Sequence, residues 1–213
     1  MNATPRRVAL AITGASGAIY GLRVLEELLR ADGLEVHLTI TPSAAKVLAL
    51  EHAVKVNLER FEFGALKLRT SRRPVYHHHE NIAAPLASGS FRVQAMAIVP
   101  ASMGSIGHIA HGISEDLVDR AADVMLKERR PLIVVPRETP LSAVHLENLL
   151  TLARLGVTVM PAMPGFYGKP KSVADLVDFI VARVLDHLQV EHTLGPRWGE
   201  KPAAPTARKR KPR

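Results

Sequence analysis

The chain has 213 residues, a length suited to one α/β domain, and its 47% hydrophobic and 23% charged content excludes wholesale disorder. With no cysteine, disulfide scaffolds, thiolate metal sites and cysteine nucleophiles are excluded together. The net charge of +8 is mostly terminal: residues 201–213 hold six cations and no acid, leaving +2 for the rest, and 4% aromatics offers few platforms for base stacking, so no nucleic-acid role is expected.

Arg6-Arg7 and the apolar run from Val8 imitate the head of a secretory leader. Gly14, Gly17 and Gly21 interrupt the run, and Arg23, Glu26 and Glu27 come at once, so a first strand entering a loop is the better reading. No apolar run approaches the ~20 residues needed to span a bilayer, and a cytoplasmic protein is expected. Strands are predicted at Val8–Thr13, Glu35–Thr41, Val93–Pro100, Pro131–Val135 and Val157–Met160. None alternates strictly, the pattern of strands covered on both faces. Helices are predicted at Ala18–Ala31, Ser43–Leu50, Asp116–Lys127, Ser142–Leu155 and Ser172–Leu188, the last two opening on serine caps. Residues 57–92 are the least regular. This alternation implies one doubly wound α/β domain, a parallel sheet with helices on both faces, over residues 1–200. Residues 201–213, with Pro202, Pro205 and Pro212 among small and basic residues, form a basic tail predicted to be disordered.

In such a sheet, ligands lie beyond the carboxyl ends of the strands. The first loop, Thr13-Gly14-Ala15-Ser16-Gly17-Ala18-Ile19-Tyr20-Gly21, lets backbone approach a phosphate at a helix N-terminus. Its spacing does not fit the dinucleotide fingerprint G-x-G-x-x-G. Tyr167 and Lys171 imitate the catalytic pair of short-chain dehydrogenases, but Pro164 and Pro170 flank them and oppose a helix. Thr41-Pro42-Ser43, Pro100 through Ser105, Pro136-Arg137-Glu138-Thr139-Pro140 and Pro161 through Tyr167 follow later strands. Such loops at successive strand ends suggest one phosphorylated ligand in one crevice. Arg120 and Lys127 are two helical turns apart on one face, placed to address an anion, whereas Arg129 and Arg130 read as a solvated helix end. His77-His78-His79 lacks a spaced carboxylate for a metal site. His108-x-x-His111-x-x-x-Glu115 has helical spacing, but Gly107 and Gly112 count against the helix. Met96, Met103 and Met125 read as packing residues.

Taken together, Gly14-Ala15-Ser16-Gly17-Ala18-Ile19-Tyr20-Gly21, Ala87-Ser88-Gly89-Ser90-Phe91, Arg120 through Pro131, Pro136 through Pro140, Pro164-Gly165-Phe166-Tyr167 and Pro196-Arg197-Trp198 form a pattern. In these motifs the sequence resembles the flavin prenyltransferases, the UbiX-type partners of UbiD-type decarboxylases, over about residues 6–200. The resemblance implies a flavodoxin-like fold, a homododecamer with active sites between subunits, and transfer of a dimethylallyl group from dimethylallyl monophosphate to N5 and C6 of reduced FMN. It implies that the prenylated FMN serves a UbiD-type decarboxylase, and that no metal is used.

Carried over residue by residue, Gly14, Ala15, Ser16, Thr41, Ser102, Met103, Gly104, Ser105 and Arg137 would line the FMN site. Lys127, Tyr167 and Arg183 would hold the dimethylallyl phosphate, with Arg120 nearby. Ser16 and Glu51 would stand near flavin N5, and Glu138 would assist proton transfer through the phosphate. Trp198 would cover the site or pack. Three features depart from the family pattern: Asp116 stands in place of an asparagine, Thr41 in place of the more usual serine, and the His77–Glu80 segment differs. Asp116 is expected to add negative charge near Arg120. Two other readings are a non-catalytic FMN carrier and an FMN-dependent decarboxylase of the peptidyl-cysteine type. The latter is expected to carry P-A-M-N, where this chain has Pro161-Ala162-Met163-Pro164.

Overall fold

The computed structural model describes residues 5–195 and 199. Its strands are β1 (Arg6–Ile12), β2 (Leu34–Ile40), β3 (Val75–Tyr76), β4 (Ala95–Ala101), β5 (Leu132–Pro136) and β6 (Thr158–Val159). The helices are α1 (Ala18–Arg30), α2 (Pro42–His52), α3 (Met103–Ala110), α4 (Leu117–Lys127), α5 (Ala143–Arg154) and α6 (Val173–His187). All strand pairs are parallel, in the order β3-β2-β1-β4-β5-β6. Without the two-residue β3 at the edge, the remaining five run in flavodoxin order. Among the described residues no helix is long and apolar enough to cross a membrane.

The two faces of the sheet are packed differently. From β1, Val8, Leu10 and Ile12 point into a core with α1, α2 and α6. Ala9 and Ala11 point the other way, under α3 and α4, where Met96 and Ile98 of β4 supply the bulk. On this second face β2 contributes His37 and Thr39, both buried. Among the described residues no α-helix covers them. The irregular stretch from His77 to Val93 lies there instead, burying Ala84, Leu86 and Val93. Arg130 holds that stretch: its guanidinium donates to Gly89 O at 2.6 Å and Phe91 O at 3.1 Å. Arg130 is therefore a structural clasp, not the solvated helix end expected from sequence. A run of cations shows no direction, and the acceptors lie about forty residues upstream.

Two elements differ from expectation. α3 forms despite Gly104 and Gly107, because Ser102 caps it and Met103, Ile106 and Ile109 are buried. It ends at Ala110, so His108 is helical and His111 stands at the cap. β3 is too short to leave a periodic signal. The serine caps of α5 and α6 form as expected, although the capping box of α5 pairs Ser142 with His145.

Candidate active site

The strand order reverses between β1 and β4, and loops from both open there. Thr13, fully buried, ties them together: its hydroxyl donates to Pro100 O at 2.9 Å and accepts from Ser102 N at 2.7 Å. Beside this staple lies a cleft of about 420 Å³. Gly14, Thr41, Ser102, Gly104 and Ser105 all line it, so five of the residues assigned to a cofactor converge from three loops. Thr41 caps α2, accepting from Ala44 N at 3.2 Å, and Ser102 caps α3, accepting from Ser105 N at 3.2 Å. Two helix N-termini thus open on one space, an arrangement that favours an anion. Gly14 is required by packing, since a Cβ there would lie 2.3 Å from Ser43 Cβ.

The other assigned residues flank this cleft. Ala15 and Met103 are buried and Ser16 is exposed. Arg137 Nε donates to Ser16 O at 3.0 Å, joining the loop after β5 to the first loop. Glu51 reaches from the last turn of α2 to the start of α1, accepting from Gly17 N at 3.0 Å and Ala18 N at 3.1 Å. Gly17 has φ +96° and caps α1 without a side chain, so the Glu51 carboxylate does that work. Burial raises its pKa, but hydrogen bonds from Ser16, Gly17 and Ala18 outweigh that and hold it below the ordinary value. A carboxylate already sits at the α1 terminus, so the phosphate expected there is better served by α2 and α3.

The cleft also has lining residues that the sequence did not assign to it. His79, Glu80, His108, Glu115, Asp116 and Asp119 also line it. Asp119, 4% exposed, accepts from His108 Nδ1 at 3.0 Å. Asp116 is occupied as the cap of α4, accepting from Val118 N at 2.8 Å and Asp119 N at 3.0 Å. Arg120 pairs instead with Asp123 at 2.8 Å. The spacing of His108 and Glu115 was visible in the sequence, whereas the pairing of His108 with Asp119 was not. Among the described residues no three His, Asp or Glu side chains are grouped to hold a metal.

The anion-binding residues are divided. Tyr167 and Arg183 line a second hollow of about 620 Å³ on the α6 side. Tyr167 meets the Phe179 ring edge-on at 5.6 Å, and Arg183 pairs with Asp186 at 3.2 Å. The Tyr167–Lys171 segment is not helical, as its prolines imply. Lys127 closes α4 on the opposite face, exposed and without a side-chain partner among the described residues. Arg120 precedes it by two turns, roughly 10 Å along the axis. Glu138 follows β5 and accepts from Thr139 N at 2.9 Å. One protomer therefore does not bring Lys127 together with Tyr167 and Arg183. Trp198, with Pro196 and Arg197, lies outside the described residues, as do residues 201–213.

A family model described as Flavoprotein matches residues 1–185. The flavin prenyltransferase UbiX of Halalkalibacterium halodurans is 47% identical over 189 residues, covering 89% of this chain and 91% of that protein. A solved structure of AnUbiX (PadA1) in complex with FMN and dimethylallyl pyrophosphate superposes with a TM-score of 0.82 at 38% identity, covering 93% of this chain and 100% of that one. A dodecameric FMN-dependent UbiX-like decarboxylase from Escherichia coli O157:H7 gives a TM-score of 0.81 at 39% identity, covering 91% and 100%.

Proposed function

The chain belongs to the flavoprotein family and, within it, to the flavin prenyltransferases, and from that premise we propose that it joins the dimethylallyl group of dimethylallyl monophosphate to reduced FMN. The observation that carries the reading is the convergence of Gly14, Thr41, Ser102, Gly104 and Ser105 on one cleft at the strand-order reversal. The residues present fit FMN: the hydroxyls of Ser43, Ser102 and Ser105 and the two helix N-termini supply donors for a phosphate.

When bound, reduced FMN supplies the nucleophilic N5 and C6 positions. The protein's task would be to stabilise a departing phosphate and to move protons, since N5 and C6 would each lose one and the prenyl double bond, spent on the second bond, would gain one. Lys127, Tyr167 and Arg183, with Arg120 nearby, donate to the phosphate oxygens as negative charge builds on them, without reorganisation at the moment of reaction. These donors, cationic except for the Tyr167 hydroxyl, would take the role a metal plays elsewhere. Ser16 and Glu51 would stand near flavin N5, with Glu51 fixed by its bonds to Gly17 and Ala18. Glu138 would take up the proton released at C6, directly or through the released phosphate.

The division of Lys127 from Tyr167 and Arg183 supports a site completed between subunits of a homododecamer. The prenylated product then passes to a UbiD-type decarboxylase in the cytoplasm, and the catalytic unit is a single domain over residues 1–200. The test is anaerobic incubation with reduced FMN and dimethylallyl monophosphate, followed by the mass of the extracted flavin. A gain of one five-carbon prenyl unit is expected. Unmodified FMN from a protein that binds it well would overturn the transferase reading in favour of a carrier.

A further inference from the structure

His108 lies one helical turn after Ser105, and both line the cleft. Its Nδ1 is held by the buried Asp119 at 3.0 Å, while Nε2 has no hydrogen-bond partner among the described residues. The same cleft holds the hydroxyl and N–H donors assigned to the cofactor phosphate, together with four carboxylates. Those carboxylates would repel a dianion. Two are already committed, Asp116 to the α4 terminus and Asp119 to His108 and, at 3.4 Å, to Glu115 N. From the loop before α4 the imidazole faces Glu115 and Asp116, from α4 Asp119, and from the stretch after β3 His79 and Glu80. α5 packs on α3 with the neutral Asn148.

We propose that His108, positioned by Asp119, is an FMN-phosphate-binding residue that presents a titratable cation to the cleft. The proposal rests on the cofactor reading above. Asp119 is the positioning residue: it fixes the ring with Nδ1–H toward itself, leaving Nε2–H for the ligand. The bond from Asp119 raises the His108 pKa, partial burial opposes this, and the nearby Asp119, Glu115 and Asp116 charges add to it. The imidazolium is thus favoured to higher pH than that of an unpaired histidine. FMN binding then strengthens as pH falls through the His108 pKa, and by linkage bound FMN holds the proton on His108 more tightly. Above pH 7 the phosphate monoester is already largely dianionic, so its own titration does not produce this slope.

The experiment titrates the cofactor-free protein with FMN, and in parallel with riboflavin, from pH 7 to pH 9 by flavin fluorescence. For His108→Ala, FMN affinity at pH 7 is expected to fall about tenfold, the low end for a hydrogen bond to a charged group. The gap from the wild type should narrow as pH rises. Asp119→Asn should move the midpoint of the FMN profile to lower pH, and His108→Lys should restore tight binding and flatten the profile. Riboflavin affinity should be equal in all four proteins. Unchanged FMN affinity in His108→Ala at pH 7, or an equal loss for riboflavin, would overturn the proposal while leaving the cofactor site standing. A wild-type protein that binds neither flavin would overturn the cofactor site itself.

Discussion

Gly14 shows how far a single residue could be understood before the fold was known. A small residue after the first strand was legible as a place for close approach. That the approaching group is Ser43, and not only a ligand, was not, because the contact joins segments about thirty residues apart. Gly14→Ala should force the α2 N-terminus outward, costing about 1–3 kcal/mol as overpacking does. FMN affinity should fall with it, and thermal melts with flavin titration check both. Glu51 was similarly half legible: its place near the first loop came from the family motif, its capping of α1 from the structure alone. Glu138 makes a local bond to Thr139 N, so Glu138→Gln should leave FMN binding intact while slowing prenyl transfer. Single-turnover rates equal to the wild type would remove its role as base.

At the scale of elements, the long amphipathic and apolar segments were read to within two residues at either end, since burial on one face fixes their periodicity. α3 was missed because its glycines weaken local propensity, while the Ser102 cap and three buried side chains outweigh them. The edge strand β3 was missed for brevity, and with it the environment of His77. That ring, buried beside β2, donates from Nε2 to His37 Nδ1 at 2.8 Å, and His37 Nε2 donates to Glu35 at 2.8 Å. Burial lowers the pKa of both rings, against the pull of Glu35 on His37, and burial with the His37 neighbour depresses the His77 pKa to about 4. Between the unfolded value near 6.5 and about 4, the unfolded chain binds a proton that the native state refuses. Stability must therefore fall as pH drops through that window and level off below it. Glu35, held below its ordinary value by the bond from Arg7, adds loss mainly at lower pH. Thermal melts from pH 7 to 4 should show this slope, reduced in His77→Gln, which can still donate to His37. Equal slopes in the two proteins would assign the acid sensitivity elsewhere.

For the whole molecule, the doubly wound architecture was legible because strands and helices alternate. The distribution of the assigned anion-binding residues over both faces was not, because motifs record order along the chain and not side of the sheet. α4 and α6 are separated by the sheet itself. Exposed Val144, Leu146 and Leu150 on α5, with Met163 and Phe166 nearby in sequence, leave apolar surface suited to another subunit. Lys127→Ala and Arg183→Ala should each be inactive alone. Mixed, dissociated and reassembled in equal amounts, they should regain roughly a quarter of wild-type activity if each site takes one residue from each of two subunits. No recovery from a properly reassembled mixture would place both residues in one protomer's site.

Where most doubly wound proteins would lay a helix over β2, this chain lays the stretch from His77 to Val93, fastened by Arg130 at one end and by the bond from Leu117 N to His79 O at 2.7 Å at the other. A cover with so few repeating backbone bonds has less to break than a helix does, so it forms its own unit of opening, well below the free energy of global unfolding. Amide hydrogen exchange should single it out, with fast-exchanging positions between Glu80 and Ser90 set against protected strands β1 and β4. Because His79 and Glu80 border the cleft, an occupied cleft would slow that exchange. The stretch would then serve as a built-in reporter of cofactor loading, readable without any assay of turnover.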